Sequence, residues 1–416
     1  MSIAIRRWWH APLDVEGLAI SAVSAAADAA AAVVRARGSS TAIDTSSELI
    51  RSAFETVEHA RIDGRGFSPW AELSGFIRCA DGSVRLHGNY PHHAEAIRRA
   101  VGITSRRELD EVAAQMPAQE FEDAVLAAGG VAARVRTAEE WQEHDQGRLM
   151  RDAPWTEVVP TGERALPGSD DAPLAGVRVL DLTRVLAGPT CTQLLACLGA
   201  DVLRIDPPGR PEILEQHLLT GMGKRSTELD LADHRSEIAA LLSDADVVVL
   251  GYRPGSLDRF GLAATTLAAE HPRLVIASLS AWGHEGPWGH RPGFDSIVQA
   301  ATGIAVRCAG PDGRPGALPV QALDFATGYV LAARILELLA AGRGGTVSAS
   351  LVGAAQTLLA LPSPPEVDDE VSMGTTMVTV SSPHGTLFLP PPPLLLARRS
   401  LERDVGGYGA AAPAWH

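Results

Sequence analysis

The chain has 416 residues, 46% of them hydrophobic and 21% charged, and a net charge of −14. That is enough chain for two domains with linkers, and the balance is that of a globular protein rather than a disordered one. So acidic a chain repels a polyphosphate backbone, which excludes nucleic acid as an expected partner, although local basic groups can still hold a small anion.

Residues 14–37 predict an alanine-rich helix stopped by Gly38-Ser39-Ser40. Asp14, Glu16 and Asp28 break its apolar run, so neither a signal peptide nor a bilayer span is expected. Residues 45–60 predict a second helix capped by Thr45 or Ser46, closing an N-terminal helical segment over residues 1–66. Residues 67–150 read as a small α+β domain. Residues 75–78 and 84–88 alternate like strands around the hairpin signal Asp81-Gly82. Three helices follow at 92–101, 105–115 and 118–128, then a strand at 131–135.

Pro160, Gly162, Pro167, Gly168 and Asp170-Asp171 mark residues 151–172 as an exposed linker. Beyond it, in residues 173–361, strands alternate with helices. Strands are expected at 177–182, 201–205, 246–250, 273–278 and 346–350, with helices at 189–198, 235–242 and 325–341. The alternation predicts an α/β fold with a mostly parallel, Rossmann-like sheet, the smaller α+β domain preceding it. Residues 362–416, rich in proline and glycine, are expected to form an irregular tail.

The chemistry-bearing residues gather at the expected carboxyl edge of that sheet. The turn from Thr183 to Pro189 aims backbone amides and a helix N-terminus at an anion. It is not G-x-G-x-x-G, which argues against a dinucleotide oxidoreductase. Gly223-Lys224-Arg225-Ser226 reads as a loop bearing two cations, and Arg253 and Arg259 follow the strand at 246–250. Taken singly, each cation is an ordinary surface residue; together, at one edge of an acidic chain, they suit a phosphorylated ligand. Asp324 stands at the start of the long apolar helix, where it reads as an N-cap, as a carboxylate nucleophile, or as both. His284, in a glycine-rich loop, is a candidate acid or base. Cys79, Cys191, Cys197 and Cys308 form no CxxC pair and no zinc-type cluster with histidine, so reduced thiols and no metal are expected.

Several of these stretches resemble, in order, the class III CoA-transferases, a family that includes formyl-CoA and carnitine CoA-transferases and α-methylacyl-CoA racemase. They are Pro173 to Asp181, Ala187-Gly188-Pro189, Leu198 to Val202, Gly223 to Ser226, Tyr252 to Gly255 with Arg259, and Gly283 to Pro287. The resemblance implies that Asp324 carries the acyl group. It implies a CoA site at Arg184, Val185, Leu186, Ala187, Leu229, Gly251, Tyr252 and Arg259, to which the cation reading adds Lys224. It further implies CoA or acyl-CoA as substrate rather than a resident cofactor, a small carboxylic acid as second substrate, a homodimer, and a cytoplasmic location. Gly251 departs from the family, where asparagine is common. The order also departs, because residues 67–147 resemble the small domain that normally follows the sheet, so the chain looks permuted, or like half of a duplicated ancestor. Three other readings stay open: a racemase, a silent CoA-binding subunit, and a nucleotide-dependent oxidoreductase. The racemase would need a second proton-transfer group opposite Asp324, and Phe294 stands where the family's racemases carry a histidine.

Overall fold

The computed structural model describes residues 3, 7–68, 70–166, 172–364 and 373–416. Pro167, Gly168, Asp170 and Asp171 lie outside them. Helix α1 (Val15–Ala36) leads into a small domain. There β1 (Gly75–Arg78), β2 (Ser83–Leu86) and β3 (Ala132–Arg134) form an antiparallel sheet, with α2 (Pro91–Val101) among the covering helices. Leu73, Ile77, Leu86, Ile97, Leu109 and Phe121 make its own core.

The sheet domain follows, with β4 (Thr156–Glu163), β5 (Arg178–Leu182), α3 (Ala187–Cys197), β6 (Asp201–Asp206), β7 (Lys224–Glu228), β8 (Val247–Leu250) and β9 (Val275–Ser280). Helices α4 (Asp295–Ala301) and α5 (Ala322–Ala340) and strand β10 (Arg343–Ser350) complete it. The spatial order is β7-β6-β5-β8-β9-β10-β4, parallel except for β4. From β5 the chain steps outward to β6 and β7, then returns to the other side of β5 for β8. The reversal opens a crevice at the carboxyl ends of β5 and β8, where such sheets bind ligands. Both faces are covered, which is why the strands read as continuous apolar runs. On β5, Val179 faces the α1, α3 and α5 side while Leu180 and Leu182 pack on the opposite layer.

Four expectations need correction. The linker is not simply exposed, because residues 156–163 add β4 to the sheet as an antiparallel edge, a place where Pro160 removes no interior ladder bond. Residues 224–228 are a strand, not a loop; Lys224 and Ser226 face inward and Arg225 outward with period two. The tail is not irregular either. Strands Val378–Ser382 and Gly385–Leu389 form a hairpin that pairs with Arg61–Ile62, and Val405 and Ala410 bridge to Met222 and Thr227 beside and within β7.

The fourth correction concerns α1, which is in fact long and apolar enough to cross a bilayer by length and composition. Half of that stretch is buried inside the fold. Ala19, Ala22, Ala26 and Ala30 are fully buried, and these small side chains let α1 lie closely along α5. The N-terminal segment and the tail thus complete the cover of the sheet domain.

Candidate functional site

The crevice is a cleft of about 1140 Å³. Its sheet-side wall is the turn Arg184, Val185 and Ala187, with Leu229, Gly251, Tyr252 and Arg259, and Asp324 opens on the same space. The small domain supplies the facing wall through Tyr90, His92, His93 and Ala96. Seven arginines line the cleft against two acidic side chains, Asp230 and Asp324, so the site is locally positive in a chain of net charge −14.

Lys224 and Leu186 do not line it. Lys224, the only lysine in the chain, is buried beneath the turn. Its Nζ donates to Asp181 Oδ2 (3.2 Å), Thr192 Oγ1 (3.0 Å) and Pro189 O (3.3 Å). Asp181 in turn accepts from Thr183 N–H (3.0 Å), Thr183 Oγ1 and Thr192 Oγ1 (both 2.6 Å). Lys224 therefore neutralises the carboxylate that holds the turn and is not available to a ligand. Leu186 is fully buried below it.

The turn itself is clasped by Glu212. Val185 sits at φ +70°, in the left-handed region that costs a β-branched residue roughly 1–3 kcal/mol. Its N–H donates to Glu212 Oε2 (3.0 Å), while Tyr90 Oη donates to Glu212 Oε1 (2.5 Å) from the small domain. Burial pushes the Glu212 carboxyl up, but Arg204 and Arg184 outweigh it and hold the group below the usual carboxylate range. Arg184 lies 3.6 Å from Glu212 and donates to Pro211 O (2.8 Å), so only part of this cation faces the cleft. At Gly251 a Cβ would come within 3.0 Å of Thr183 Cβ. The glycine lets the backbone pass close to the threonine that Asp181 holds.

Asp324 is the third residue of α5, not its cap. Asp295, the first residue of α4, does the capping: its Oδ2 accepts from Leu323 N–H (2.9 Å) and Asp324 N–H (3.0 Å), and Gln299 Nε2 donates to its Oδ1. The other first-turn amides go to Val320 O and Gln321 O. Among the described residues, no amide at this helix start donates to the Asp324 carboxylate, so Asp324 does not act as the N-cap read from the sequence. The Asp324 carboxylate has no hydrogen bond or ion pair among the described residues. Burial, then the neighbouring Asp295 charge, raise its pKa well above the usual carboxylate value. Asp295 is pushed up to about 6, by burial foremost, against the pull of its amide donors and of Arg85.

Sequence reasoning missed Asp295, Glu212 and the histidines of the small domain. Asp295 directly follows Phe294, and the apolar spacing of residues 297–304 is that of the helix it starts. His92 and His93 directly follow Pro91, the first residue of α2, which is a helix-start signal. Phe294 stacks face to face on His87 of the small domain, centroids 3.6 Å apart at 5°. His284 does not join the cleft; its Nε2 lies 3.4 Å from Ser278 Oγ.

A model of the CoA-transferase family III matches residues 174–373. A probable fatty acyl-CoA transferase of Mycobacterium tuberculosis is 37% identical over 190 residues, covering 42% of this chain and 48% of that protein. An acetyl-CoA:oxalate CoA-transferase of Acetobacter aceti is 36% identical over 203 residues, covering 44% of this chain and 52% of its own length. A crystal structure of the M. tuberculosis protein aligns at 35% identity over 46% of this chain and 57% of that one, with a TM-score of 0.43. The chain spans about half the length of the curated relatives it matches.

Proposed function

We propose, on the premise that residues 174–373 belong to the CoA-transferase family III, that the cleft moves CoA from an acyl-CoA to a carboxylic acid through Asp324. The observation that carries this reading is the contrast inside one cleft. Arginines rim it for a phosphorylated ligand, and a buried carboxylate without a hydrogen-bond partner opens into it. A carboxylate held in place only through its backbone, with a raised pKa, is a stronger nucleophile than one shared among donors.

The chemistry closes in four steps. The Asp324 carboxylate attacks the donor thioester carbonyl; the C–S bond breaks, leaving a mixed anhydride and CoA thiolate. The thiolate attacks the aspartyl carbonyl, the anhydride C–O bond breaks, and the donor leaves as its carboxylate. An acceptor carboxylate then attacks the aspartyl thioester and expels the thiolate. The thiolate finally takes the acceptor acyl group, regenerating Asp324. No net proton moves, so no dedicated acid or base is required. Acyl-CoA and a small carboxylic acid are the partners this reading takes, with the cytoplasm as the location and a homodimer as the form to test by light scattering.

The test is trapping. With wild type and an acyl-CoA panel, hydroxylamine should leave a hydroxamate on the peptide containing Asp324, read by mass spectrometry. Asp324→Asn should bind CoA, lose the adduct, and transfer more slowly by several orders of magnitude. Near wild-type transfer by Asp324→Asn would show that the nucleophile is another residue.

A further inference from the structure

The small domain brings two adjacent imidazoles to the cleft. His92 and His93 lie in the first turn of α2, after the N-cap Tyr90. That turn holds no acidic residue, and the N-cap Tyr90 side chain does not cap it, so no charge of this helix's own offsets the positive end of its dipole there. The two rings lie 4.2 Å apart and both line the cleft. His92 is exposed to it, while His93 is half-buried and its Nδ1 has no hydrogen-bond partner among the described residues.

The opposite wall is cationic. Arg184 from the turn after β5, Arg210 from the loop after β6 and Arg253 from the loop after β8 all act on both histidines through their charge. The remaining ring neighbours are neutral or weakly polar. Tyr90 lies 5.5 Å from His93 and 5.6 Å from His92, and His87, itself pushed down to about 3 by burial, lies 6.0 Å from His93. Among the described residues, no carboxylate is among the principal groups acting on either ring. Burial first, then these cations, hold both imidazoles below the ordinary histidine value, His93 at about 3.

A site of this kind is short of negative charge, and every group on it would gain from an anion. We propose that His92 and His93 form the small domain's half of a phosphate clamp, closing on a diphosphate-bearing ligand against Arg184, Arg210 and Arg253. The proposal rests on the acyl-CoA reading for the identity of that ligand. Without a bound anion, both rings are held toward the neutral form. A diphosphate between the walls reverses the local field and raises their pKa, so ligand binding takes up protons. Binding then tightens as pH falls through the imidazole pKa of the complex, and does not depend on these rings above it. The clamp also gives the small domain a role in holding substrate from across the cleft.

Calorimetry of the full chain with CoA, near pH 6.5 in two buffers of different ionisation enthalpy, counts protons taken up per ligand. His92→Gln tests the exposed ring, where folding is least at risk, and a His92→Gln/His93→Gln protein tests the pair. The phosphates of CoA titrate too, but they are common to all three proteins and cancel in the differences. Wild type should take up more protons than His92→Gln, and His92→Gln more than the double variant. The gain in affinity on acidification should shrink in the same order. Imidazole NMR of wild type provides a measurement without substitution: both pKa values should rise on adding CoA. Equal proton uptake with binding intact, or unmoved imidazole pKa values, would overturn the clamp and leave the CoA reading standing. Absence of CoA binding by wild type would overturn both.

Discussion

Two groups of buried carboxylates lie under the same sheet edge, and they are treated oppositely. Asp181, Asp206 and Glu212 each have a cation within reach: Lys224 at 3.2 Å from Asp181, and Arg204 at 2.6 Å from Asp206 and 3.4 Å from Glu212. Asp295 and Asp324 have no ion pair among the described residues, although Arg85 acts on Asp295 from a distance. In the first group, Asp181 and Glu212 fix the turn that shapes the cleft. The second keeps a carboxylate chemically available at a cost in stability. A buried acid that is compensated builds the site, and one left uncompensated can react in it.

The comparison is broken most directly at Lys224. Lys224→Met removes the compensating charge and strands Asp181 in the core, which should cost about 3–5 kcal/mol of unfolding free energy. Adding Asp181→Asn should recover a substantial part, since the stranded charge goes with it. Urea denaturation reads both. A loss under about 1 kcal/mol would mean that Asp181 needs no cation, and the two groups would no longer differ in kind. As the chain's only lysine, Lys224 also offers a clean chemical check. Amine-reactive reagents should leave the native protein unlabelled at this residue and label it once unfolded.

The uncompensated pair predicts a smaller, pH-dependent effect. Both folded-state pKa values are raised, Asp295 to about 6. A raised carboxyl stabilises the fold fully below its unfolded pKa, about 3.9, and loses that contribution as pH rises through the folded value. Wild type should therefore lose stability relative to Asp324→Asn as pH rises above about 3.9 toward the raised folded-state pKa of Asp324. The buried His87 and His217 and the half-buried His93, held low chiefly by burial, have the opposite sign, but they are present in both proteins and cancel. A stability difference that stays flat with pH would place the Asp324 carboxyl in an ordinary environment. Transfer by wild type should rise over the same interval, because only the ionised carboxylate attacks.

The parallel sheet was legible because its strands are buried on both faces, so each appears as an apolar run between helices. Strand direction pointed to the carboxyl edge and the family resemblance to particular residues there; Arg184, Val185, Ala187, Leu229, Gly251, Tyr252, Arg259 and Asp324 line one cleft, while Leu186 and Lys224 do not. Lys224 was misread because a short strand of polar residues, KRSTE, carries no apolar signal. Its burial is created by Asp181, 43 positions away. Asp295 illustrates the same limit, since a cap on a helix that begins 27 residues later has no local signature. The histidine wall required knowing how the small domain docks, which is set by long-range contacts such as Tyr90 on Glu212 and Glu122 on Arg291. Local pattern finds elements and their ends; it does not find which buried charges meet.

The smallest expected effect belongs to a cation outside both groups. Arg259 is exposed on the cleft rim, its guanidinium 4.6 Å over the Phe260 ring, with no ion pair among the described residues. Arg259→Ala should leave stability within about 0.5 kcal/mol, as at other surface sites. If the rim meets the phosphates of CoA, the substitution should weaken binding at low salt by a few-fold to about tenfold, within the range of a solvated charge contact. Screening should erase most of that loss near 0.5 M salt, where the Debye length falls to about 4 Å. Calorimetry at two salt concentrations separates the cases. A loss that persists at high salt would place Arg259 in a desolvated contact, like Arg204. No loss at either concentration would take it out of the ligand site altogether and leave the anion to the deeper arginines of the cleft.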